Sequence, residues 1–152
     1  MAVIERTVLV DAPVEAVFDY VDDPMHIAEY APGVDRVEVV RRTDDRVGDS
    51  FRTVYSVVGI DLPVTFVASA YERPRVLASR MEGAMSGEFR WDFRERETGG
   101  TEVGVRIDYQ LKGGPVGRAF DALVFERTNE KNAERMLENL KRRVESVATT
   151  GV

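Results

Sequence analysis

Two stretches of this chain alternate strictly between apolar and polar residues. In 88–94, Phe89, Trp91 and Phe93 fall on one side and Glu88, Arg90, Asp92 and Arg94 on the other. In 102–111, Val103, Val105, Ile107, Tyr109 and Leu111 alternate with Glu102, Gly104, Arg106, Asp108 and Gln110. A period of two predicts a sheet with one buried and one wet face. Weaker versions predict strands over 2–10, 34–42, 49–59, 62–73 and 76–81, with Phe51, Thr53, Tyr55 and Val57 sharing one face of the third. Charged or Gly- and Pro-bearing turns separate them at 43–48, 59–61, 73–75, 83–87 and 98–100. Consecutive strands joined by short turns pair antiparallel, as a meander.

The pattern changes to helical spacing in three places. Asp11 and Pro13 cap and start a helix that carries Val14, Val17, Phe18 and Val21, and Asp22-Asp23-Pro24 ends it. A second short helix runs through Tyr30 and closes at Ala31-Pro32-Gly33. From Pro115 to about residue 148 no proline or glycine follows Gly117, and good helix formers dominate. That predicts a helix about 45–50 Å long. Ala122, Glu126, Asn129, Ala133, Met136, Leu137, Leu140, Val144 and Val147 are expected on one face. Val116, Phe120, Leu123 and Val124 form an apolar sector rotated away from it. Either the helix bends near Thr128, or that sector contacts a loop, a second subunit or a membrane surface.

Seven antiparallel strands with one apolar face and a long helix with one apolar face form a two-layer α+β unit. The sheet curls around the C-terminal helix and the two short helices, between strands one and two, plug one end. The expected organisation is a single domain over 1–148 with a frayed tail at 149–152. At 152 residues the chain has room for a core, and with 43% hydrophobic and 32% charged residues it is neither disordered nor membrane-embedded. No apolar run reaches the roughly 20 residues that span a bilayer. The first ten residues lack the basic start and apolar middle of a signal peptide, so the expected compartment is the cytoplasm. The net charge of −6 argues against nucleic acid as a partner. With no cysteine, thiolate chemistry and Cys-based metal binding are excluded.

This order resembles the START/Bet v 1-like (SRPBCC) superfamily, in particular its polyketide cyclase/dehydrase-like branch. The residues that carry the resemblance are Val8 to Phe18 with Asp23-Pro24 and Ala31-Pro32-Gly33, then Tyr71-Glu72-Arg73-Pro74-Arg75, then Gly114-Pro115-Val116-Gly117-Arg118 with Leu137 to Arg142. The resemblance implies a helix-grip fold with a deep cavity between sheet and helix. Such cavities hold lipids, quinones, polyketides, hormones or aromatic intermediates, in cyclases and hydrolases as well as in carriers. These motifs are structural and do not select among those activities.

Candidate chemistry is sparse. No phosphate loop, catalytic triad order or metal-ligand spacing stands out, so neither cofactor nor metal is expected. His26, the sole histidine, sits on the rim helix, with Asp22, Asp23 and Glu29 as its nearest acids. The expected ligand-binding set is Tyr30, Phe51, Thr53, Tyr55, Phe89, Trp91, Phe93, Ile107, Tyr109, Glu126, Asn129 and Ala133. Aromatic walls with a few polar tips are typical of small-molecule sites. Glu126, Tyr55, Tyr109 and His26 are the acid/base candidates. A Glu126 buried on the inner helix face would be protonated, solvated by cavity water or paired with an inward base such as Arg6. The alternative is that Glu126 and Asn129 lie in solvent. Three functions remain open: a carrier or sensor of a small hydrophobic ligand, a cyclase/dehydratase-type enzyme, and a ligand-free interaction module. The last would form a homodimer through Val116, Phe120, Leu123 and Val124.

Overall fold

The computed structural model describes residues 2–112 and 122–150, with side chains to 147. The expected start of the long helix at Pro115 and the residues Val116 and Phe120 lie outside the described set. The elements are β1 (Ala2–Val10), α1 (Val14–Asp22), a 3-10 turn (Pro24–His26), α2 (Ile27–Tyr30), β2 (Val34–Arg41), β3 (Ser50–Val57), β4 (Ile60–Glu72), β5 (Val76–Gly83), β6 (Met85–Glu95), β7 (Thr101–Leu111) and α3 (Ala122–Thr150). The seven strands make one antiparallel sheet in the order β1-β7-β6-β5-β4-β3-β2. It is the expected meander from β2 to β7, with the N-terminal strand added beside the last.

Alternation fixes which face is wet. In β7, Thr101, Val103, Val105, Ile107 and Tyr109 are buried and Arg106 and Gln110 are exposed. Directly paired residues share a face, so the register carries this inward set across the sheet. Ile107 pairs with Phe89, Phe89 with Ser79 and Ser79 with Ala68. Phe51 pairs with Val39 on one side and Phe66 on the other.

Two predicted turns are strand instead. Ile60 pairs with Val57, so the hairpin turn shrinks to Val58-Gly59, both at positive φ (46° and 78°) as a two-residue primed turn requires. The stretch 83–87 reads as a glycine-bearing turn, yet Gly87 stays in the ladder between Met81 and Tyr109. Its φ is +136°, and a Cβ there would stand 1.9 Å from the Asp108 carbonyl oxygen. That glycine permits close strand approach rather than chain reversal.

α3 runs unbroken through Thr128 and lays a narrow stripe on the sheet. Phe125, Asn129, Ala133, Met136, Leu137, Leu140 and Val144 are buried. The expected face differs at both ends: Ala122 and Glu126 are exposed, and Val147 is 58% exposed. Projecting the Met136–Val144 stripe backwards at seven-residue spacing lands on Glu126. The real stripe steps back by fours, through Ala133, Asn129 and Phe125, and a four-residue step overshoots one 3.6-residue turn, so the buried line drifts around the helix.

Two apolar clusters hold the layers together. One joins β1, α1, β6, β7 and the later turns of α3 through Val10, Phe18, Phe93, Val103, Leu137, Leu140 and Val144. The other joins the β3–β7 wall to Phe125 and Ala133 through Leu62, Met81, Ile107 and Tyr109. No helix of the described residues is long and apolar enough to cross a membrane.

Candidate functional site

Between the two clusters lies a cavity of about 200 Å³, bounded by β2–β7, α1, α2 and the inner face of α3. A single water needs roughly 15 Å³ on the same measure, so this is a site rather than a packing defect. Its origin is visible in the rung Ala68–Ser79–Phe89–Ile107, where two adjacent small residues leave the sheet floor low. Opposite them α3 presents Ala133, buried and small, to the same space.

An aromatic arc forms much of the wall. Phe51 and Phe66 stack with centroids 4.9 Å apart, Phe66 meets Phe89 edge-on at 6.0 Å, and Phe89 lies 5.7 Å from Trp91. The Tyr30 ring stands perpendicular to Trp91 at 6.2 Å. Of the expected binding set, Tyr30, Phe51, Thr53, Tyr55, Phe89, Trp91, Ile107, Asn129 and Ala133 line the cavity. Thr53 spends its hydroxyl on the Arg36 carbonyl oxygen, 2.7 Å away. Phe93, Tyr109 and Glu126 do not border the cavity. Phe93 stacks behind Trp91 and packs on Phe18 in the first core cluster.

The cavity's polar group comes from β3 and α3. The Tyr55 hydroxyl donates to Asn129 Oδ1 at 2.6 Å and accepts from Asn132 Nδ2 at 2.8 Å. Asn129 also hydrogen-bonds the Tyr109 hydroxyl. Asn129 is therefore an inward, satisfied amide, 7% exposed. The Tyr55 ring is set from behind by Gly33, at φ +86°, where a Cβ would meet the ring at 2.9 Å and the Ser56 carbonyl oxygen at 2.5 Å. Burial pushes the Tyr55 phenol up, with Tyr109 adding to the shift and the Asn132 bond opposing it. Burial also raises Tyr109, against the Asn129 bond and together with the Glu126 and Glu130 charges. Both phenols are thus proton donors at neutral pH, not bases.

Glu126 is exposed and sits by a separate cleft with Tyr109 and Phe125. Arg6 does not pair with it. The Arg6 guanidinium reaches Glu130 and Glu134, each at 3.5 Å. His26 stacks on Tyr20 at 4.1 Å, holds its Nδ1 2.8 Å from the Tyr20 carbonyl oxygen and has Nε2 3.9 Å from Asp23, all outside the cavity wall.

Charged residues at one end of the cavity escaped the sequence reading. Arg46, in the turn after β2, binds both Asp22 oxygens (3.0 and 2.8 Å), Asp49 (2.7 Å) and the Tyr71 hydroxyl (3.3 Å). Burial works against the Arg46 charge, but the bonds to Asp49 and Asp22 outweigh it and raise its pKa above the ordinary guanidinium value. This staple ties the 42–49 turn to the end of α1. The turn reads as a solvated charged loop because its partner lies 24 residues away. Asn132 was also missed, although its place three residues after Asn129, on the same side of the helix, was a signal that could have found it.

No relative among curated proteins matches the sequence. Among solved structures, the Zhui aromatase/cyclase from Streptomyces sp. R1128 superposes with TM-score 0.82 at 20% identity, over 99% of both chains. A protein of Thermus thermophilus, TTHA0849, superposes at 0.78 and 24% identity, over 97% of this chain and 99% of that one. A START superfamily protein from Mycobacterium smegmatis gives 0.71 at 17% identity, over 99% of each. At such identities the likeness carries the fold alone. A family model described as polyketide cyclase / dehydrase and lipid transport matches residues 1–145. With a match over nearly its whole length, the chain belongs to the polyketide cyclase/dehydrase and lipid transport family.

Proposed function

We propose that this protein binds a small hydrophobic molecule, flat enough to lie along an aromatic wall, in the cavity between sheet and α3, as a carrier or sensor. One observation carries the reading. The cavity is walled by Phe51, Phe66, Phe89, Trp91 and Tyr30, and the polar group on its wall, Tyr55–Asn129–Asn132, is already arranged. Apolar walls with a few fixed polar groups are the usual form of such sites. Membership of a family whose description joins cyclase, dehydrase and lipid transport is consistent with it.

Binding is favoured over catalysis because the acid/base candidates are poorly placed. Glu126 is exposed, and the His26 ring is engaged by Tyr20 outside the cavity. Tyr55 borders the cavity with its phenol pushed upward by burial. A cyclase/dehydratase-type activity keeps a footing in the Tyr55 hydroxyl, which can donate a proton or hydrogen bond to a substrate carbonyl.

The test is native mass spectrometry of the chain purified under gentle conditions. The expected spectrum contains a fraction with extra mass, lost on organic extraction. Extraction from several expression hosts that always yields bare protein, with no binding in a screen of flat aromatic compounds, would sink the reading.

A further inference from the structure

We propose that the molecule taken by this cavity is an amphipathic anion, with an apolar body and one acidic group that pairs with Arg41 at the cavity mouth. The inference rests on the ligand-binding reading above and narrows its ligand class. Arg41, Arg42, Arg46, Asp22 and Asp49 are the charged residues that border the cavity, and the rest of its described lining is uncharged. They gather at one end, where β2 finishes and the following turn is stapled to α1.

Pairing within this group decides its sign. Both Asp22 oxygens are taken by Arg46. Asp49 is taken by Arg46 at 2.7 Å and Arg42 at 3.2 Å, and it also accepts from the Thr43 amide and hydroxyl. Two carboxylates thus balance two guanidinium groups. Among the described residues, the Arg41 side chain has no ion pair or hydrogen bond. One uncompensated positive charge remains at the mouth of an apolar cavity, in a chain of net charge −6. Global attraction cannot explain an anion there, but a local guanidinium can, because charges beyond about 8–10 Å are screened.

The backbone supports the placement. β2 carries a register irregularity between Val39 and Arg41, and such bulges re-aim side chains. Val39 pairs with Phe51, which stacks on Phe66. Arg41 pairs with Ser50, the residue before Phe51, and both border the cavity, so a ligand body lying on Phe51 and Phe66 has Arg41 beside it in the same lining. A carboxylate or sulfonate there gains charge-assisted hydrogen bonds, discounted because Arg41 is exposed.

Two dyes of matched aromatic body separate the possibilities: 8-anilinonaphthalene-1-sulfonate, an anion, and N-phenyl-1-naphthylamine, which is neutral. The chain has a single tryptophan, Trp91, in the cavity wall, so energy transfer from it reports dye bound to the domain, and loss of that signal in the cavity-filling Ala133→Leu variant places the dye in the cavity. The expected result is that both dyes bind, and that Arg41→Gln weakens the sulfonate about fivefold more than the neutral dye, while Arg41→Lys largely retains sulfonate binding. Equal effects on the two dyes, or none on either, overturn the anion assignment and leave the cavity reading standing. If neither dye accepts energy from Trp91 in the unaltered protein, the cavity reading falls and this inference falls with it.

Discussion

Asp49 lies at the meeting point of the cavity-mouth staple. Its side chain is 12% exposed and accepts from the Thr43 amide and hydroxyl, Arg46 and Arg42. Burial alone would raise its pKa. The Arg46, Thr43 and Arg42 bonds prevail and hold the carboxyl below its ordinary value of 3.8. A group whose folded pKa is depressed stabilises the fold above its unfolded pKa, and that contribution disappears as pH falls through the folded value. Asp49→Asn is therefore expected to lower stability by about 1–3 kcal/mol at neutral pH, the cost of weakened charged hydrogen bonds. The gap should narrow as pH drops below 3.8, where the wild-type carboxyl also becomes protonated. Urea titrations of both proteins at pH 7 and at successive steps below pH 4 measure it. A constant gap over that range would show that the carboxylate charge is not what holds the turn.

At the scale of elements, α3 shows what a sequence pattern does and does not carry. Met136, Leu137, Leu140 and Val144 were legible because four apolar residues at three- and four-residue spacing leave one way to face a sheet. The strands were legible for the same reason, at period two. In the earlier turns Asn129 and Ala133 fell on the expected face, but the first turn was not legible: spacing alone does not decide there between Phe125 and Glu126, which are adjacent in sequence and opposite in fate. Phe125 is 1% exposed, whereas Glu126 is exposed. The inward aromatic row was read from parity alone. The Arg46 staple depends on the sheet curling until the turn after β2 meets α1, and no local spacing encodes that. The helix thus makes a prediction with a built-in contrast. Leu140→Ala, at 0% exposure, is expected to cost about 3–4 kcal/mol. Val147→Ala, at 58% exposure, is expected to stay within about 0.5 kcal/mol of wild type. Equal losses in denaturant unfolding would mean that the last turns of α3 are buried in solution.

Over the whole molecule, the notable fact is that the two layers meet at two clusters and leave space between them. Protein interiors are close-packed, and unfilled volume in a core costs stability. Here that space is bordered by small residues from opposite layers, Ala68 and Ser79 on the sheet and Ala133 on α3. If the space is kept for a ligand, filling it should harm binding and not folding. Ala133→Leu adds three carbons at a position 5% exposed that borders the cavity beside Asn132 and Met136 of the same helix, with Tyr55 of β3 in the same lining. Burying that apolar surface contributes up to about 2 kcal/mol, offset by whatever strain the neighbours impose. The expected outcome is a melting temperature equal to or above that of the wild type and a loss of about tenfold or more in affinity for the neutral naphthylamine dye. The affinity loss follows because the added side chain occupies ligand volume rather than weakening one contact. A variant that melts normally and still binds the dye with unchanged affinity would place the dye elsewhere and remove the cavity from the account of function. A variant that melts far lower would instead mean that the helix side of the cavity around Ala133 is already packed and that the open volume lies on the sheet floor, which Ser79→Leu would then fill in its place.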